Sequence, residues 1–63
     1  MEWMSVKDRL PENGISVQTK IDDDKGLRNV QTLKRNGNLW FSGGMYVYYT
    51  PTHWRHINHH QER

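Results

Sequence analysis

The chain contains no cysteine, which excludes both a disulfide framework and a zinc site built from thiolates. It has no apolar run near the roughly 20 residues that cross a membrane, and no signal-peptide core follows its start. Only 33% of its 63 residues are hydrophobic, which is a low share for a globular domain. These absences predict a soluble, unprocessed, cytoplasmic protein with a small core.

Aromatic residues are the main material for that core, since the chain has three Trp, three Tyr and one Phe. Each such side chain buries on the order of 150–250 Å². We expect residues 1–63 to form one domain, with residues 58–63 frayed because none of them is apolar. A single core of this size rarely gives much stability, so folding on a partner or as an oligomer is the alternative.

Turn residues recur at short intervals, and no window shows a sustained apolar recurrence at helical spacing. This pattern predicts an all-β fold: a small antiparallel sheet of four or five strands with an ordered N-terminal loop. The turn signals lie at residues 11–14, 22–26, 36–37, 43–44 and 50–51.

Residues 16–21 give the clearest strand pattern, with Val17, Thr19 and Ile21 on one face. Residues 27–34 are predicted as the next strand, although apolar residues spaced by three leave a helical turn as the alternative. Asn36-Gly37 predicts a type I′ hairpin turn. Further strands are predicted at residues 39–41, 45–49 and 53–57, and a short edge strand at residues 3–6.

Residues for catalysis or metal binding are poorly placed. His53 and His56 would point to opposite faces of a strand, and the pair His59-His60 lies in the tail. The acidic run at residues 22–24 lacks the alternating ligands of a calcium loop. No cysteine nucleophile, strained serine turn or phosphate-binding glycine loop is present. We therefore expect no enzyme, no cofactor and no native metal; a metal-dependent regulator using His53 and His56 is the least favoured reading.

Charge and aromatic residues are concentrated in the second half of the chain. Residues 27–63 carry five basic groups, one acidic group and six of the seven aromatics. If Met45, Val47 and Tyr49 face the core, Tyr46 and Tyr48 face solvent. Such a surface suits a protein interface or stacking with unpaired bases. The predicted partner-binding residues are Trp40, Tyr46, Tyr48 and Arg55, and the nucleic-acid alternative uses Arg28, Lys34, Arg35 and Arg55.

Two short motifs carry a resemblance to a known family. The first comprises Trp3, Val6, Arg9-Leu10-Pro11, Gly14 and Val17, and the second is Thr52-His53-Trp54. Together they resemble the small phage and prophage family catalogued as domain of unknown function 551. One departure is visible: the family usually continues with a proline-rich end, whereas residues 55–58 here contain no proline.

The resemblance implies an accessory protein of a phage or prophage, and it implies no catalytic residue or cofactor. We therefore expect a cytoplasmic protein that binds and modulates a host protein, as a counter-defence or host-takeover inhibitor of the anti-CRISPR or anti-restriction type. A homo-oligomer is an alternative, because edge strands pair readily.

The motif residues are predicted to be structural. Trp3 is expected to pack on Trp54, Leu10 to point inward, and His53 to hydrogen-bond the backbone of residues 9–14. Arg9 is expected to bridge a carboxylate or carbonyls, and Pro11 prevents a helix through this segment.

Overall fold

A computed structural model describes residues 2–57, which form one six-stranded sheet. The sheet order is β1-β6-β2-β3-β4-β5, and all neighbouring strands are antiparallel. The all-β prediction is therefore confirmed, but the expected four or five strands are six. The strands are β1 (Met4–Ser5), β2 (Ser16–Asp23), β3 (Gly26–Asn36), β4 (Leu39–Ser42), β5 (Met45–Tyr46) and β6 (His53–His56).

Buried strand residues all fall on one face of the sheet, which we call the core face. The predicted alternation in β2 is confirmed, because Val17, Thr19 and Ile21 are buried while their neighbours are not. The main cluster comprises Val17, Leu33, Trp40 and Trp54, with Met4, Val6, Val47 and Tyr49 packed against it. The opposite face, here the open face, holds no buried residue among those described.

The three-residue spacing in β3 reflects a β-bulge and not a helical turn. Thr19 pairs with Gln31 but Ile21 pairs with Arg28, so two steps along β2 match three along β3. Asn29 lies in this stretch with a φ of 56°. Asparagine tolerates this left-handed conformation better than most residues do. The extra residue shifts the alternation of β3, so that Leu27 pairs with Asp22 on the open face and is exposed. Val30, three residues from buried Leu33, lies on the open face by ordinary alternation.

The β3–β4 hairpin exists as predicted, but its turn is displaced by one residue. Asn36 pairs with Leu39, so the two loop residues are Gly37 and Asn38. Gly37 has a φ of 65°, whereas Asn38 does not have a positive φ. A positive φ at the first loop position alone is typical of a type II′ turn, so the predicted type I′ turn at Asn36-Gly37 is wrong.

The predicted strand at residues 45–49 is shorter in the structure. Gly43-Gly44 form a two-residue loop between Ser42 and Met45, and β5 ends at Tyr46. Met45 pairs with Ser42 on the face that holds Trp40, but it is 73% exposed, so it does not contribute to the core. Val47 and Tyr49 do pack against the core, as expected.

The N-terminal loop, residues 6–15, is held to the sheet by its backbone. Trp54 Nε1 donates to the Arg9 carbonyl at 2.8 Å, and Arg35 Nε donates to the Pro11 carbonyl at 2.8 Å. Pro11 is buried, whereas Leu10 is 49% exposed, so the inward position predicted for Leu10 is wrong. Since no local pattern distinguishes the two residues, only the path of the loop decides which one points inward.

Trp3 does not pack on Trp54. Met4 is the residue that pairs with Trp54, so Met4 shares its face and Trp3 falls on the open face. There, Lys20 Nζ lies 4.5 Å and Arg55 Cζ 4.4 Å from the centre of the Trp3 ring. Trp3 therefore anchors the N-terminus by cation–π contacts.

The roles predicted for His53 and Arg9 also differ from the structure. His53 Nδ1 lies 2.7 Å from Thr52 Oγ1, and it is Trp54 that bonds the loop backbone. Arg9 contributes its carbonyl oxygen to that bond, so its structural role lies in the main chain. The predicted fraying of residues 58–63, which include His59 and His60, lies outside the described residues.

Candidate functional site

The predicted partner-binding residues separate into buried and exposed groups. Tyr46 and Tyr48 are exposed, by 45% and 87%, as predicted. Trp40 is only 3% exposed and belongs to the core, so it cannot form a contact surface. Residues 39–41 are all apolar, and periodicity alone therefore could not decide which of them points inward. Arg55 is half-buried and lies on the open face.

Phe41, Tyr46 and Tyr48 form a continuous group, which we call the aromatic surface. Phe41 pairs with Tyr46 across β4 and β5, and their ring centres are 6.3 Å apart. Tyr46 and Tyr48 meet edge to face with ring centres 5.0 Å apart. The sequence prediction missed Phe41. A two-residue turn at Gly43-Gly44 would have found it, because that turn places Phe41 directly opposite Tyr46.

Two of the cations predicted for nucleic-acid binding, Arg28 and Arg35, form bonds with other groups of the protein. Arg28 forms a two-pronged ion pair with Asp23, at 2.9 and 3.1 Å. This bond lowers the pKa of Asp23 and raises the pKa of Arg28. Arg35 donates to the carbonyls of Pro11 and Gly37, both at 2.8 Å. Arg35 therefore anchors the N-terminal loop, whereas Arg28 forms an exposed ion pair; their predicted phosphate-binding role stays a prediction.

Lys34 and Arg55 lie on the same face as the aromatic surface. Lys34 is exposed and pairs with Phe41 across β3 and β4. Arg55 Nε donates to Gln18 Oε1 at 2.6 Å, and its guanidinium covers Trp3. Residues 27–57 contain four Lys or Arg and no Asp or Glu, so positive charge predominates in β3 to β6.

An open cleft of about 410 Å³ lies at the β1–β6 end of the sheet, and its lining includes Ser5, Asp22, Thr52 and His53. The Thr52 hydroxyl is already bonded, because Asp22 N–H donates to it at 2.8 Å. Within residues 2–57, no group of three His, Cys, Asp or Glu is close enough to hold a metal ion.

Comparison with known families gives one match. A family model described as "Protein of unknown function (DUF551)" covers residues 2–59. The chain belongs to this family. The resemblance predicted from the two motifs is thereby confirmed. No curated protein and no solved structure matches the chain.

The two motifs that suggested DUF551 meet in three dimensions. Trp54 of the second motif donates its indole N–H to Arg9 of the first, across 45 positions of the chain. Pro11 of the first motif is buried and accepts a hydrogen bond from Arg35. In this DUF551 protein the motifs therefore close the fold, while the aromatic surface lies outside both. Across residues 2–57 no helix has the length and apolarity needed to span a membrane.

Proposed function

We propose that this protein is a binding module that attaches to another protein through its aromatic surface. The observation that carries the proposal is the exposure of Tyr46 and Tyr48 beside Phe41. Aromatic and Arg residues dominate the energetics of protein interfaces. Tyrosine also contributes a large contact area with few rotatable bonds, which limits the entropy lost on binding.

The arrangement of charges favours a protein partner over nucleic acid. Affinity for nucleic acid depends on cations that are available to phosphates. Arg35 is bonded to backbone carbonyls, and the Asp23 carboxylate competes with a phosphate for Arg28. By contrast, Tyr48 of the aromatic surface is 87% exposed, so most of its ring is accessible to a partner.

The resemblance to phage proteins supports a host protein as the partner. We propose that the protein modulates that partner by occupying its surface, as a counter-defence or host-takeover inhibitor in the cytoplasm of an infected or lysogenic bacterium. Such a role needs neither a catalytic residue nor a cofactor.

Affinity capture from bacterial lysate, with and without nuclease, tests the proposal. The wild-type protein should retain a partner after nuclease treatment, and Tyr48→Ala should lose most of it. Leu27→Ala is the matched control, because Leu27 is an exposed apolar residue at the start of β3, whereas residues 34–36 of that strand are the ones that pair with β4. Equal retention by the wild type and Tyr48→Ala would contradict the proposal.

A nucleic-acid role is the second candidate, because Lys34 and Arg55 share the open face with the aromatic surface. Single-strand binding through cations and stacked bases should weaken steeply as salt is added. An aromatic protein interface should weaken much less. Partner capture that nuclease abolishes would favour this second candidate.

A further inference from the structure

The two outer strands of the sheet, β1 and β5, differ in how their free edges are hydrogen-bonded. In an antiparallel pair, residues alternate between those that bond their partner strand and those whose backbone groups point away. The outward-pointing groups of an edge strand can pair with another chain. Ser5 and Tyr46 are the residues that this alternation directs outward.

At β5, the hairpin fixes the direction of the Tyr46 backbone. Ser42 and Met45 flank the two-residue loop and form its closing pair. Val47 N–H donates to the Trp40 carbonyl at 2.8 Å, which marks the next bonded pair. Tyr46 lies between these bonded positions, so its N–H and C=O point to the outside of the sheet.

At β1, the corresponding position is already covered. Val6 N–H donates to the Thr52 carbonyl at 3.0 Å, so Ser5 is the outward residue. Its carbonyl accepts bonds from Asp8 N–H at 3.0 Å and Arg9 N–H at 3.1 Å. The chain thus folds back and protects this edge. Within residues 2–57, no turn of this kind covers the backbone of Tyr46.

Charge indicates what the β5 edge would accept. Lys34 of β3 stands in one cross-strand row with Phe41 of β4 and Tyr46 of β5, on the open face. Residues 27–57 contain no carboxylate. A second copy joined at β5 would bring the same excess of positive charge and no carboxylate to pair with Lys34. A negatively charged segment would be attracted, and an apolar side chain opposite Tyr46 would contact the aromatic surface.

We propose that β5 binds an extended, acidic segment of the partner protein, which adds to the sheet as a further strand. Backbone bonds to Tyr46 supply affinity, and alternate side chains of the segment lie against the aromatic surface. This inference rests on the proposed function and specifies how the partner is held.

Hydrogen exchange with defined probes tests the inference. The probes are a ten-residue peptide of alternating Val and Glu, the same peptide with Lys for Glu, and a single-stranded oligothymidine. With ¹⁵N-labelled protein, the Val-Glu peptide should slow exchange of the Tyr46 amide by about tenfold and leave the Ser5 amide unchanged. The Val-Lys peptide and the oligonucleotide should have no such effect.

Two substitutions separate the backbone from the ring. Tyr46→Ala removes the ring and keeps the N–H, whereas Tyr46→Pro removes both; proline is tolerated at an outward edge position. Tyr46→Pro should bind the Val-Glu peptide about two- to tenfold more weakly than Tyr46→Ala. Ser5→Pro is the matched control on the other edge and should leave peptide affinity unchanged. If Tyr46→Pro does not fold, hydrogen exchange of the Tyr46 amide in the wild-type protein still tests the inference.

Several results would overturn the inference: an unchanged Tyr46 amide, equal effects of the two peptides, exchange slowed by the oligonucleotide alone, or a dimer that protects Tyr46 without peptide. If the lysate partner is captured through Tyr48 while no peptide protects Tyr46, strand addition fails and the proposed function stands. If the Val-Glu peptide protects Tyr46 but no protein is captured, the edge assignment is supported and the proposed function fails.

Discussion

The two outer strands of the sheet, β1 and β5, are equally short, but one edge is covered by the chain and the other is exposed. At the β1–β6 end, Trp54 reaches the Arg9 carbonyl and the Ser5 carbonyl is occupied by the following turn. At the β4–β5 end, Tyr46 and Tyr48 are exposed and the backbone of Tyr46 faces outward. One end is closed by contacts between distant parts of the chain, and the other presents aromatic side chains to solvent.

The difference shows that secondary structure alone does not decide whether an edge is available. Both outer strands have two residues. What distinguishes them is the N-terminal loop, which folds back over β1 and has no counterpart at β5 in the described part of the chain. We expect substitutions at the closed end to reduce stability and those at the open end to reduce binding.

Trp54→Ala should give the largest loss of stability. It leaves a cavity in the core and removes the donor to the Arg9 carbonyl, and comparable truncations cost about 3–5 kcal/mol. Tyr48→Ala at the open end should change the free energy of unfolding by about 0.5 kcal/mol or less. Urea denaturation of both variants measures the contrast. Similar losses for the two variants would mean that the ends are not energetically distinct.

Arg35→Met should lower the free energy of unfolding by about 1–3 kcal/mol, because the partly buried bond to the Pro11 carbonyl and the exposed bond to the Gly37 carbonyl are lost. Lys34→Met is the matched control: it is the preceding residue, removes the same charge and lies on the open face. It should change stability by about 0.5 kcal/mol or less. Chemical denaturation of the pair checks this, and an equal effect would indicate that charge and not loop anchoring is what matters.

Trp3→Leu should destabilise the protein by about 1–2 kcal/mol, through the loss of two cation–π contacts at about 0.5–1 kcal/mol each. A double-mutant cycle with Lys20→Met isolates one of these contacts. Non-additivity in thermal unfolding is the expected result. Strict additivity would show that Trp3 anchors β1 by packing alone.

The ion pair between Asp23 and Arg28 should have the smallest effect, since both side chains are well exposed and the pair is screened by salt. Because the pKa of Asp23 is lowered below its ordinary value of 3.8, its contribution is present above that pH. The contribution is lost as pH falls through the lowered pKa. Asp23→Asn should therefore differ slightly from the wild type at neutral pH and converge with it in strong acid. A difference that grows in acid would contradict this sign.

Several elements of the fold follow from local patterns. The alternation of Val17, Thr19 and Ile21 predicted β2 and its buried face correctly, since a strand repeats every two residues. The direction of the side chains around Asn29 could not be predicted from alternation, because a bulge changes the two-residue repeat without a unique sequence signal. At the candidate site, Tyr46 and Tyr48 were correctly predicted to be exposed. Trp40 was predicted to lie beside them, whereas the structure places its neighbour Phe41 there.

The sequence by itself determined the fold class, the family and the presence of an exposed aromatic group, because period-two alternation, turn residues and short motifs are properties of neighbouring residues. The tertiary structure decided which side of the sheet each aromatic occupies and which cations remain available. Those outcomes depend on strand register, where a shift of one residue reverses the face, and on bonds such as Trp54 to Arg9 that join distant positions. By contrast, a local turn at Asp8 and Arg9 covers the β1 edge, and the Gly43-Gly44 hairpin directs the backbone of Tyr46 outward.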